Sequence, residues 1–217
     1  MLISIRNNRH TYLLIFALAL LFCGCKSSAE LPHSVAPPTT LLSNGDLAFR
    51  LGRTMQSNLI ASSGNDTTSY SHIGIVVFQE DRCCVVHIEP QEETSSDEIC
   101  CEPIEEFFST KVATAGVVMR HRDLSPSQRV AINAHAEQLL QSKITFDHDY
   151  LFSDTTTMYC TELAEHIYAS MGISLSQGRR HSLPLVTEPL ILPSDIAQNP
   201  DLYTSWSFDY SALRPAR

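Results

Sequence analysis

The sequence predicts an α+β fold, and three observations carry that prediction. Apolar runs rich in β-branched residues crowd the first half of the chain, polar turn residues separate them, and helical periodicity appears only afterwards. The first strand is expected near 46–51, just after the turn pair Asn44-Gly45. A second lies near 72–79 in HIGIVVFQ, and a third near 83–90 in CCVVHIEP. Further strands are expected near 98–103 and at Ala115 to Arg120. A helix runs from about 126 to 141, opened by Ser125-Pro126. A second helix begins at Cys160: Leu163, Ala164, Ile167, Tyr168 and Met171 form one apolar stripe, and Gly172 stops it.

The first 24 residues look like a signal peptide. Arg6 and Arg9 precede an apolar run from Tyr12 to Phe22, about a dozen residues where a membrane span needs roughly 20. The junction Phe22-Cys23-Gly24-Cys25 is similar to a lipobox, with Phe22 standing where Leu is usual. Cys25 is therefore expected to be diacylated and to anchor the protein to a membrane; simple cleavage of a secretory signal is the alternative. Lys26 after the cysteine favours the outer membrane and the periplasm by the sorting rule for such lipoproteins. Residues 25–41, rich in Ser, Ala and Pro, read as a tether, which leaves 42–217 as a single domain. The whole chain carries a net charge of −9, and loss of Arg6 and Arg9 with the signal brings the remainder near −11. So acidic a chain argues against a nucleic-acid partner.

Five cysteines remain beyond the signal and anchor. Cys83, Cys84, Cys100 and Cys101 form two vicinal pairs in consecutive strands, and a hairpin would bring the pairs together. One or two disulfides are expected among these four in an oxidising compartment, with the connectivity open. Cys160 has no evident partner. It stands at the start of an apolar-striped helix, where unpaired N–H groups favour an anion, so the sequence predicts a thiol of lowered pKa and raised nucleophilicity.

A nucleophilic cysteine needs a base. Most of the nine histidines fall in the signal, the tether, helices or polar loops. His72 and His87 are exceptions, since each sits in a run that reads as a buried strand, where an imidazole requires a hydrogen-bond partner. Glu89 shares a face with His87 by the strand period of two, and antiparallel pairing would set it beside His72.

Taken in order, Asn44-Gly45-Asp46-Leu47-Ala48-Phe49-Arg50, Ser71-His72-Ile73-Gly74-Ile75-Val76, His87-Ile88-Glu89-Pro90 and Tyr159-Cys160-Thr161-Glu162-Leu163 resemble the motifs of the permuted papain-like amidases. This is the YaeF and YiiX group, related to NlpC-type cell-wall peptidases. Leu192-Pro193-Ser194-Asp195 is similar to the group's C-terminal Pro-x-Asp run, and the resemblance spans residues 42 to 205. It implies a mainly antiparallel sheet or small barrel packed on the nucleophile helix. It also implies Cys160 as nucleophile, His72 as base and Glu89 as the group orienting His72, with His87 a substitute for either of the two auxiliary roles. Tyr159 is a further auxiliary candidate, for the oxyanion, although an aromatic before a core helix is more often packing; Asp46 reads as structural.

The implied activity is amide hydrolysis through a thioester, with cell-wall peptides as the expected substrate and no cofactor. A zinc site from His72, His87 and Cys160 would use acceptable ligands, but no short-spaced ligand pair supports it. Two other function classes compete: a lipid-directed acyltransferase or thioesterase of the same fold, and a non-catalytic scaffold lipoprotein. The retention of Cys160, His72 and Glu89 argues against the scaffold.

Overall fold

The computed structural model describes residues 34–64, 70–80, 82–90, 97–152, 156–184 and 186–210. The signal peptide and the anchor at Cys25 lie outside the described residues. Among those described, no helix is long and apolar enough to cross a membrane.

Strand β1 (Leu47–Gly52) leads into helix α1 (Met55–Ser63), then β2 (His72–Gln79), β3 (Arg82–His87) and β4 (Cys100–Pro103). A short helix α2 (Ile104–Phe107), strand β5 (Ala113–His121) and helix α3 (Pro126–Leu140) follow. Next come the two-residue strands β6 (Thr145–Phe146) and β7 (Thr157–Met158), helix α4 (Cys160–Ala169), helix α5 (Pro193–Ala197) and β8 (Leu202–Asp209). Six strands make one antiparallel sheet in the order β4-β3-β2-β1-β5-β8, and β6 pairs with β7 in parallel. The α+β prediction holds. Helix α1 and strand β8 were not expected, and β3 ends at His87, so Glu89 lies just past the strand.

The sheet is apolar on both faces because both are covered. Leu47, Phe49, Ile73, Ile75 and Val86 pack with Ile132 and Ala136 of α3 and with Leu163 and Ile167 of α4. On the opposite face Ala48, Val76, Val85 and Val118 meet Ile104, Phe107 and Phe108. Helix α3 starts as its sequence dictates: the Ser125 hydroxyl accepts the Gln128 N–H at 3.3 Å, and Pro126 occupies the first turn. The turn before β1 needs Gly45, whose φ is +85°, and Asn44 locks that turn by accepting the Phe78 N–H at 2.7 Å. Asp46, read as structural, accepts the Ser43 N–H at 2.8 Å and two hydrogen bonds at 2.7 Å from Arg120.

The register of β3 against β4 decides what the four hairpin cysteines can do. Cys100 stands opposite His87, Cys101 opposite Val86, and Cys84 opposite Pro103. The vicinal pairs are thus offset along the ladder instead of facing one another. All four, and Cys160, are free thiols in this structure. Cys84 lies in the core layer that Cys101 packs against; Cys83 is in the opposite layer.

Candidate active site

The cleft beside Cys160 is assembled from β1, β2, the segment after β3, the start of α4 and the run before α5. Its volume is about 710 Å³, and Arg50, His72, Glu89, Tyr159 and Cys160 are among its lining residues. Helix α4 places the thiol. Tyr159, the residue before it, is in extended backbone and its side chain does not cap the helix. The backbone N–H groups of Thr161 and of Ile73, the neighbour of His72 on β2, act on the Cys160 sulfur and favour its anionic form. The Thr161 hydroxyl donates to the Ile191 carbonyl at 2.7 Å, which ties the helix start to the far wall.

On β2, His72 is 8% exposed, and on β3, His87 is 1% exposed. His72 Nε2 lies 2.9 Å from His87 Nδ1, a hydrogen bond, with the two rings edge to face. Gly74 makes room for this approach, because a Cβ there would stand 2.4 Å from Val85 Cγ1 and 2.9 Å from the Val86 carbonyl. The second nitrogen of His87 is also occupied: Nε2 is 3.3 Å from Glu102 Oε2 and 3.4 Å from Cys100 Sγ. Glu89 reaches His72 Nε2 only at 3.8 Å, while Arg50 grips its carboxylate at 2.5 Å. Of the two groups considered for orienting His72, it is His87 that stands within hydrogen-bonding distance.

Arg50 is the residue that sequence reasoning passed over, although it closes the first motif. It is 3% exposed, lies 4.4 Å over the Phe107 ring, and donates to the Phe107 carbonyl at 3.2 Å and to Glu102 at 3.4 Å. A buried arginine so placed binds both glutamates and sets the potential felt by both histidines. The signal was available: an arginine between Phe49 and Leu51 in a strand-like run must find a buried partner. Glu102 was also missed, and its place opposite Val85 follows only from the register.

Protonation follows from burial and these neighbours. Burial, the Arg50 charge and His87 hold His72 well below the usual histidine range, so it is a neutral base at neutral pH. Burial alone would lower His87 as well, but its hydrogen bonds to Cys100 and Glu102 outweigh that and raise it to about 9. Cys160 departs from the sequence expectation. The N–H groups of Thr161 and Ile73 do favour its thiolate, yet burial dominates and pushes the thiol up to about 11, with Glu89 adding to the rise. The resting pair is a thiol and a neutral imidazole.

Tyr159 is 2% exposed, and its hydroxyl accepts the Ile191 N–H at 3.2 Å, which serves a wall better than an oxyanion. The Pro-x-Asp segment holds that wall: Asp195 accepts the Leu192 N–H at 2.8 Å and lies 2.7 Å from His181 Nε2.

Among the described residues, one group has the composition of a metal site: His72, His87 and Glu89 each offer an atom within 4.8 Å of the others. Two imidazoles and a carboxylate are a familiar donor set for zinc or iron. The arrangement does not fit a cation as it stands, because the carboxylate is taken by Arg50 and the guanidinium brings its own positive charge to the same few ångströms.

No family model matches the chain, and no curated protein matches it. Among solved structures, the chain is similar to the crystal structure of YiiX from Escherichia coli O157:H7, a DUF1105 protein described as a metalloprotein. The TM-score is 0.59 and the identity 22%, over 75% of this chain and 95% of that one. The two proteins share a fold.

Proposed function

We propose that this chain is a thiol hydrolase of the permuted papain-like kind, cleaving an amide or ester through an acyl-enzyme on Cys160. The observation that supports this best is that Cys160, at the start of a helix and acted on by two backbone N–H groups, and a neutral, hydrogen-bonded His72 line one cleft. In this reading His72 takes the S–H proton as sulfur attacks the carbonyl, so the carbon–sulfur bond forms without a preformed thiolate. The carbon–nitrogen or carbon–oxygen bond then breaks, and the leaving group takes that proton from His72. Water, deprotonated in turn by His72, attacks the thioester; the carbon–sulfur bond breaks, the acid leaves, and the Cys160 sulfur takes its proton back from His72. The first-turn N–H of α4 and the N–H of Ile73 stabilise the anionic sulfur and the developing oxyanion. For His72 to act as base its proton must lie on Nε2, donated to His87 Nδ1, so the working form of His87 is the one that has lost its Nδ1 proton and keeps its Nε2 proton on Glu102; Glu89 with Arg50 takes the outer position. Anchoring through Cys25 would hold this chemistry at a membrane surface.

The test is turnover of activated esters and amides by the protein and its Cys160→Ala and His72→Ala variants. Loss of at least about a hundred-fold in each supports the assignment, and turnover retained in Cys160→Ala overturns it.

A second reading is a metal centre on His72, His87 and Glu89, favoured by their proximity and by the description of YiiX as a metalloprotein. It requires Arg50 to release Glu89. Stoichiometric zinc or iron in purified protein, lost in His87→Ala, would establish it in place of the thiol reading.

A further inference from the structure

We propose that Cys100 is a second reactive thiol and a modification site: a low-molecular-weight disulfide captures it as a mixed disulfide, and the adduct disarms His72 by disturbing the contacts of His87. The inference rests on the hydrolase reading for its consequence, the loss of turnover, and on the β3–β4 ladder for the site itself. Of the five thiols, Cys84, Cys101 and Cys160 belong to one apolar layer or pack against it, and Cys83 belongs to the other. Cys100 belongs to neither. It is half-exposed on β4, an edge strand of the sheet, and what its sulfur meets is an imidazole, with His87 Nε2 at 3.4 Å. Glu102, on the same face of β4, lies 3.3 Å from that nitrogen. Thiol, imidazole and carboxylate form a constellation of the kind that activates sulfur. It is separate from the Cys160 cleft, which neither Cys100 nor Glu102 lines.

The register denies Cys100 an internal partner. Successive residues of a strand face opposite sides, so Cys101 turns to the other layer, where Cys84 lies. The Cα atoms of two neighbours, about 3.8 Å apart, are also closer than the roughly 4.4 Å at which disulfides begin. Cys83 shares the face of His87, the residue opposite Cys100, but stands four positions along β3 from it, roughly 13 Å at a strand's rise and beyond the reach of about 7 Å that a disulfide allows. An external sulfur is what remains. In the exchange the Cys100 S–H bond and the S–S bond of R–S–S–R break, a bond forms from the Cys100 sulfur to one RS group, and the other leaves with the proton as R–SH. Cys100 is oxidised and the departing sulfur reduced. The effect reaches the catalytic base through one residue, because His87 Nδ1 lies 2.9 Å from His72 Nε2 while Nε2 faces Cys100. The substituted sulfur has no S–H and carries a group that crowds Glu102, which also binds Arg50 at 3.4 Å.

The test treats the intact protein with bis(2-hydroxyethyl) disulfide, a small neutral probe. After partial reaction, peptide mapping without reductant should find the hydroxyethylthio group on Cys100 at least about ten-fold above its level on Cys83, Cys84, Cys101 or Cys160. The imidazole NMR signals of His72 and His87 should move in the adduct and return when dithiothreitol removes it, a readout that needs no turnover. Hydrolysis of an activated ester should fall by about ten-fold or more in the adduct and recover with dithiothreitol. In Cys100→Ser, a near-isosteric change at a half-exposed position, the probe should leave hydrolysis at its untreated rate. An adduct on Cys100 with shifted imidazole signals, in a protein that hydrolyses nothing, upholds the modification site and defeats the hydrolase reading. Hydrolysis in a protein whose Cys100 takes no adduct, or whose adduct leaves both imidazoles and the rate unmoved, overturns the proposal and leaves the hydrolase reading standing. Neither adduct nor hydrolysis overturns both.

Discussion

The protonation state of the Cys160–His72 pair yields the prediction with the clearest magnitude. A thiol raised to about 11 holds on the order of a hundred-fold less thiolate at pH 7 than an ordinary cysteine. Its greater basicity makes each thiolate more reactive; a Brønsted coefficient of about 0.45 returns roughly a factor of ten. Cys160 should therefore react with iodoacetamide at pH 7 on the order of ten-fold more slowly than a free cysteine. Its rate should climb about ten-fold per pH unit from pH 6 to 10 with no plateau. His72→Ala should change that alkylation rate at pH 7 by less than about three-fold, because a neutral imidazole does not stabilise a thiolate, while removing ester turnover by at least about a hundred-fold. The assay is pseudo-first-order labelling followed by mass spectrometry of the Cys160 peptide across pH. A plateau below pH 8 that disappears in His72→Ala would reveal a preformed thiolate–imidazolium pair and refute the reasoning from burial.

Three further outcomes follow from the site and the hairpin. His87→Ala should lower kcat by about 10- to 100-fold while Glu89→Gln costs less than that, since His87 touches His72 at 2.9 Å and Glu89 stands 3.8 Å away, held by Arg50; steady-state kinetics of the two variants decide between them. His87 is raised from 6.5 unfolded to about 9 folded, so the stability it contributes, on the order of 3 kcal/mol, is complete below pH 6.5 and is lost as pH rises toward 9. Melting temperature should fall across that window, and Glu102→Gln should flatten the fall. Mild oxidation should join Cys84 to Cys101, which pack in the same core layer, and leave Cys83 reduced; peptide mapping without reductant would contradict the observed register if Cys83 linked to Cys100 instead.

The elements that the sequence made legible were those with strong local signals. The β-branched run from Ile73 to Val77 could only be a buried strand, Ser125-Pro126 could only open a helix, and the apolar stripe after Cys160 set α4 on the sheet. Strand β8 has the same kind of alternation in Leu202 to Asp209, with Trp206 and Phe208 packing on one face, and a period-two reading of the last residues would have found it. Helix α1 could not have been found that way, because Met55 and Leu59 are left in solvent and one residue of it, Ala61, is buried.

At the site, His72, His87 and Cys160 were identifiable from their residue types and strand or helix positions. Their ranking was not. Whether His87 or Glu89 touches His72 depends on where β3 ends and on which carboxylate Arg50 claims, and both are properties of the assembled sheet. The thiol's protonation was misjudged for a related reason. A helix N-terminus is visible in sequence, whereas the burial that outweighs it arises only when α4 is packed against β2.

The account stands or falls on a covalent acyl group at Cys160. Mixing the protein with an excess of an activated p-nitrophenyl ester, quenching in acid within the first turnovers and mapping the peptides should show the acyl mass on Cys160. It should be absent from Cys160→Ala. Ester hydrolysis with no acyl mass on Cys160 at any quench time, or equal hydrolysis by Cys160→Ala, would contradict it.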